Sequence, residues 1–94
     1  MSDRPNVHVN QIAEARNVLG EVIARARFAG EPTVLINRGK KAAVIVSYED
    51  YATLRELRGY LEDLEISERP SDKLDARVLR EALDVAKGRA LDSD

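Results

Sequence analysis

Residues 33–47, TVLINRGKKAAVIVS, constrain the fold more than any other stretch of the chain. Two aliphatic runs, Val34-Leu35-Ile36 and Ala42-Ala43-Val44-Ile45-Val46, are rich in β-branched residues and too short for helices. A turn over residues 37–41, containing Gly39, joins them, so the segment reads as a β-hairpin. Neither run alternates cleanly with polar residues. Both faces of the hairpin are therefore expected to be covered, one by a helix of the same chain and the other by a second helix or a partner subunit. The turn carries Arg38, Lys40 and Lys41, three cations at the tip of the most hydrophobic segment.

The flanks supply elements to pack on such a hairpin. Val7-His8-Val9 alternates and follows Pro5, as an edge strand does. Asn10 offers an N-cap, and Ile12, Ala15, Leu19, Val22, Ile23 and Ala26 then recur at helical spacing, with Gly30 and Pro32 as stop signals. Arg16 lies off this stripe, just inside the helix start. After the hairpin, Ser47-Tyr48-Glu49-Asp50 fits a capping box, and Tyr51, Leu54, Leu57, Leu61 and Leu64 carry a second helix to about Glu65. Residues 68–72, ERPSD, read as a linker. Beyond it Leu74, Val78, Leu79, Ala82, Val85 and Ala86 form a last amphipathic stripe that Gly88 stops. Isolated by the linker, this helix is expected to stay loosely ordered until something covers its apolar side.

Ninety-four residues hold one core, with room for a tail. Only 4% of them are aromatic, so Ala, Val, Leu and Ile must fill the interior, and so small a chain favours a homo-oligomeric core. The absence of cysteine excludes a disulfide scaffold and thiolate metal sites. No apolar run approaches a bilayer span, and the start, MSDRPNVHVN, lacks a signal-peptide apolar region, so the chain is expected in the cytoplasm with no membrane partner.

Enzyme chemistry fits poorly. His8 is the single histidine and reads as a structural strand residue, the acids sit at solvated-helix spacings, and Gly39 stands alone rather than in a phosphate-cradling loop. No catalytic residue, metal ligand cluster or cofactor is expected. Charge is more informative. Residues 1–46 hold seven Lys and Arg against four Asp and Glu, a net +3; residues 47–94 hold eight against thirteen, a net −5. Two partners of opposite charge would suit such a division, although it is also within the reach of chance. The cationic hairpin tip and Arg16 at a helix start suit phosphates, provided two copies act side by side on one duplex. The same lysines read equally as guards against edge-to-edge aggregation. The last helix suits the basic groove of a protein partner, or it could simply fold back and complete the core.

These pieces resemble the Phd/YefM antitoxins of prokaryotic type II toxin–antitoxin modules. The matching residues are Ala15-Arg16 with Leu19, then Gly30-Glu31-Pro32 with Ile36-Asn37-Arg38-Gly39, then Ala42-Ala43-Val44 with Ser47, Asp50-Tyr51 and Leu54. Lys41 stands where the family often has proline. The match spans roughly residues 6–65. It implies a small α+β domain, a three-stranded sheet with its hairpin packed on two helices, which dimerises and binds a palindromic operator in its own promoter. Residues 1–65 would form that DNA-binding and dimerisation domain. Arg16 and Arg38 are the DNA-contacting positions it implies; Lys40, Lys41, Asn10 and Gln11 join them by proximity. Residues 66–94 would be a helical or partly disordered tail that covers the toxin with Leu74, Val78, Leu79, Ala82, Leu83, Val85 and Ala86. The ending REALDVAKGRALDSD is similar, more loosely, to antitoxins of RelE/ParE-type mRNA-cleaving toxins, with Doc and PIN-domain toxins as other partners and a higher-order toxin complex as the assembly. Two other readings remain open: a toxin inhibitor with no operator, and a dimerisation module whose charges serve solubility.

Overall fold

A computed structural model of the chain describes residues 6–92. Two compact units emerge, Met1–Ala52 and Thr53–Asp94.

In the first unit, strand β1 (His8–Gln11) runs directly into helix α1 (Ile12–Asn17), which is followed by α2 (Leu19–Phe28) and the hairpin strands β2 (Thr33–Asn37) and β3 (Lys40–Ile45). The strand order is β1-β2-β3, so the N-terminal strand does lie at an edge. It pairs parallel with β2, His8 opposite Thr33 and Gln11 opposite Ile36, while β2 and β3 are antiparallel. The cap of the first helix falls on Gln11 rather than Asn10, because Glu14 reaches back and accepts the Gln11 backbone N–H at 2.9 Å.

The single helix expected from residue 12 onward is two. At Val18 the backbone leaves helical geometry, with φ −123° and ψ 32°, although Val18 N–H still donates to the carbonyls of Glu14 and Ala15. The apolar stripe continues across the break and supplies the core residues Ala15, Val22 and Ala26, but Leu19 and Ile23 stay exposed. Gly30 ends α2 as expected. It takes φ +65°, a left-handed conformation that a glycine adopts without a Cβ clash, and lets Glu31 N–H return to the Arg25 carbonyl.

Only one face of the sheet is covered by helices within this unit. Thr33 is fully buried and accepts a hydrogen bond from Arg25 of α2, so side chains that alternate with it point the other way. Val9, Val34 and Val44 are direct cross-strand neighbours on that other face, and the outer two remain 59% and 50% exposed. The second cover expected for the hairpin is therefore not supplied by the first unit itself.

Helix α3 (Tyr48–Ile66) opens on Ser47, whose Oγ accepts the Asp50 N–H at 3.0 Å. In the second unit its last turns meet α4 (Pro70–Asp92). The connection is three residues long, shorter than the linker read from ERPSD, because Pro70 occupies the first helical turn, where its missing N–H costs nothing. Ser67 Oγ accepts from Arg69 N–H and donates to Asp72 Oδ2, closing the corner. Leu61, Leu64 and Ala76 form a small core. Beside it Arg80 makes a two-pronged ion pair with Glu65, at 2.9 and 3.3 Å from Nη2 and Nε, whose hydrogen bonding and charge raise the guanidinium pKa. α4 continues through Gly88 to Asp92. One interior glycine costs about 1 kcal/mol, and Arg89, Ala90 and Leu91 all favour helix.

Four aromatic residues, Phe28, Tyr48, Tyr51 and Tyr60, are all exposed, and the interior is built from Ala, Val, Leu and Thr. No described helix is long and apolar enough to cross a membrane.

Candidate nucleic-acid interface and docking helix

Parallel pairing decides where the cations of the first unit collect. Because Gln11 stands opposite Ile36, β1 ends at the same end of the sheet at which β2 turns over into β3. α1 starts there, with Arg16 in its last turn, immediately ahead of the α2 start at Leu19. The hairpin turn is Arg38-Gly39, flanked by the paired Asn37 and Lys40, with Lys41 opposite Ile36. Gln11, Arg38, Lys40 and Lys41 thus belong to one end of the sheet, the helix that carries Arg16 starts from that end, and all five residues are exposed. Among the described residues none forms an ion pair with Arg16, Arg38 or Lys40. Asn10 differs from these. Its side chain lies on the helix-covered face, where Oδ1 accepts from Arg25 Nη2 at 3.2 Å.

The turn is tighter than the five residues read from the sequence. Arg38 has φ 53° and Gly39 φ 78°, the pair of left-handed residues that defines a type I′ hairpin turn. A bulge follows: Leu35 pairs with Ala43 but Ile36 with Lys41, leaving Ala42 as the extra residue. The bulge shifts the alternation of β3, so that Lys41 and Val44, an odd number of positions apart, can both serve one face. Gly39 tolerates its conformation freely. Arg38 does not, since a left-handed residue with a Cβ costs roughly 1 kcal/mol. Asparagine tolerates this region and should recover roughly half of that cost, so Arg38→Asn is expected to raise the unfolding midpoint by about 2–4 °C, read by circular dichroism.

In the second unit the apolar residues of α4 cover one continuous half of the helix, and the two edges of that half differ. At 100° per residue, Leu74, Val78 and Val85 fall within about 40° of one another and roughly opposite Ala76. Ala76 is buried against α3, so Leu74, Val78 and Val85 point away from it, and each is more than half exposed. Ala82 borders this outer stripe. Leu79, Leu83 and Ala86 lie nearer the α3 side, and Leu83 helps line a groove of about 640 Å³ with Leu54, Leu57 and Leu61, rimmed by Arg58, Arg80 and Lys87. Asp75 and Glu81 flank the outer stripe, whereas Asp72 is taken up by Ser67 at the corner.

His8, the one candidate for acid–base work, has Nε2 2.8 Å from Glu31 Oε1 and serves to hold β1. Arg25, not singled out in the sequence, is half-buried beneath the sheet and bonds both Asn10 and Thr33. Its only sequence signal was a cation embedded between Ala24 and Ala26 on an otherwise apolar flank.

Residues 8–81 match the family model described as antitoxin Phd_YefM, type II toxin–antitoxin system. No curated protein matches the chain. Among solved structures, the fold is similar to a chain of the toxin–antitoxin complex RelBE2 from Mycobacterium tuberculosis, with 19% identity, a TM-score of 0.55, and coverage of 88% of this chain and 82% of that one. It is also similar to chains of two YoeB–YefM structures from Staphylococcus aureus, one of them a heterotetrameric complex. Both have 17% identity and a TM-score of 0.51, and they cover 100% and 95% of this chain and 96% of theirs.

Proposed function

The chain belongs to the Phd/YefM antitoxins of type II toxin–antitoxin systems, and from that premise we propose that it has two activities. It neutralises a cognate toxin through residues 66–94, and it represses its own operon by binding promoter DNA as a homodimer through residues 1–65. The observation that supports the DNA half is the parallel register of β1 and β2, by which the helix carrying Arg16 starts at the sheet end where Arg38 forms the turn. Two copies facing one duplex would each present this end to the phosphates, with Lys40 and Lys41 adding attraction that depends on salt rather than on sequence. Gln11 lies at the same end. The row Val9, Val34 and Val44, exposed at its two outer members, supports the homodimer, since burying it gives each copy the core that its small size denies it.

The outer stripe of α4 supports the toxin half: three aliphatic residues flanked by Asp75 and Glu81 suit an apolar groove with basic walls. The partner is a RelE- or YoeB-type toxin, a reading favoured by the RelBE2 and YoeB–YefM complexes that share the fold.

The test is a gel shift with a duplex spanning the promoter upstream of the chain's own reading frame. Arg16→Ala and Arg38→Ala should each weaken binding about tenfold or more while toxin co-purification is unchanged. The plot of log affinity against log salt should also flatten, by about two for each variant, because a dimer loses two phosphate contacts. Unchanged affinity and slope in both variants would remove the DNA half of the reading.

A further inference from the structure

Polar bonds to the α2–β2 loop and to α2 itself tie β1 down on its helix-covered side. Of the β1 residues His8, Val9, Asn10 and Gln11, the one aliphatic side chain, Val9, faces away from the helices. His8 Nε2 meets Glu31 Oε1 of the α2–β2 loop at 2.8 Å, and His8 N–H extends the strand pairing to the Pro32 carbonyl at 2.9 Å. Further along, Arg25 Nη2 donates to Asn10 Oδ1 at 3.2 Å and to Thr33 Oγ1 at 3.1 Å. One guanidinium on α2 therefore bridges β1 and β2.

As a source of stability this bridge is poor. The Arg25 side chain is only 20% exposed, its Nε is buried with no partner among the described residues, and both acceptors of Nη2 are neutral. The nearest carboxylate, that of Glu21, stands 3.9 Å away and is 65% exposed. Burying most of a guanidinium with one long, largely exposed ion pair costs more than two neutral hydrogen bonds return, and an unbranched apolar side chain should hold the fold equally well. What the bridge does provide is direction. It pins Asn10, β1 passes into α1 with no intervening residue, and Arg16 follows six positions after Asn10.

We propose that Arg25 is a positioning residue for Arg16: by tying Asn10 to Thr33 it sets the angle at which α1 leaves the sheet and so aims the Arg16 guanidinium at DNA. Arg25 itself touches no nucleic acid. The inference rests on the DNA-binding reading above, and the experiment separates the two.

Arg25→Met keeps the unbranched stem of the side chain as far as the position of Nε and removes the bridge. Affinity for the promoter duplex is measured for the full chain with Arg25→Met alone, and with the same change in the Arg16→Ala and Arg38→Ala backgrounds. Arg25→Met alone should weaken binding about tenfold with the melting midpoint unchanged or raised. With Arg16→Ala present it should cost less than about twofold more, because a missing guanidinium cannot be misdirected. With Arg38→Ala present it should again cost about tenfold. A merely structural role would give the same loss in all three backgrounds, with a falling midpoint, and that result overturns the proposal. An Arg16→Ala variant that binds normally removes the parent reading instead. Thr33→Val, which is isosteric and deletes one of Arg25's two acceptors, is the second variant if Arg25→Met does not fold. It should give a smaller loss with the same dependence on Arg16, and equal losses with and without Arg16 would count against the proposal.

Discussion

Val78→Asp combined with Val85→Asp is expected to abolish toxin neutralisation while helix content and the unfolding midpoint stay unchanged. Both side chains are more than half exposed and point away from Ala76, so the carboxylates remain in water in the free chain. In the complex they would be driven into a desolvated surface without partners. Central interface positions each contribute ~2 kcal/mol or more, so the pair should weaken binding on the order of a thousandfold. Co-purification with the toxin and rescue of growth in cells expressing it are the measurements. Operator binding should be unaffected, because the two substitutions lie in the other unit. A double variant that still neutralises the toxin would move the docking surface elsewhere, and the groove lined by Leu54, Leu57, Leu61 and Leu83 would be the next place to substitute.

Val44→Asp should be nearly as severe for the other activity. Val44 sits on the sheet face that α1 and α2 do not cover, directly across from Val34, and is half exposed in the single chain. A carboxylate there costs little to a free protomer. In a dimer built on this face two carboxylates would be buried together, and the cost of desolvating them, several kcal/mol, exceeds what a small interface supplies. Sedimentation should show a monomer, and the promoter gel shift should disappear, since one copy brings only half the cations to the duplex. A variant that sediments as a dimer and binds promoter DNA as before would place the subunit contact on another surface.

Local rules that act over a few residues were readable in the chain. β-branched runs separated by a glycine-bearing turn became β2 and β3, Ser47 capped α3, and Gly30 ended α2 in a left-handed conformation. Features that depend on how the backbone closes were not. Apolar spacing is the same on both sides of Val18, so periodicity alone cannot register the break between α1 and α2. Pro70 reads equally as a linker residue and as the first residue of a helix, and only the corner made by Ser67 and Asp72 decides between them. Among the candidate site residues, the start of the Arg16 helix at the same sheet end as Arg38 depends on the parallel register of β1, a long-range pairing that no local motif encodes. Asn10 was read as a cap and as a neighbour of DNA, and its bond to Arg25 gives it another occupation, visible only once α2 lies across the sheet. Which edge of the α4 stripe faces α3 was not legible, because a helix alone does not reveal which side its neighbour takes.

The outward position of every aromatic ring has a practical corollary for spectroscopy. With no tryptophan and with Tyr48, Tyr51 and Tyr60 all partly open to water, denaturation changes the surroundings of these chromophores less than it would for buried rings. Ultraviolet emission from the isolated chain is therefore a poor monitor of folding. For the same reason it is a clean monitor of recognition, since any change in phenol fluorescence on mixing with a second macromolecule reports a ring that has lost its solvent.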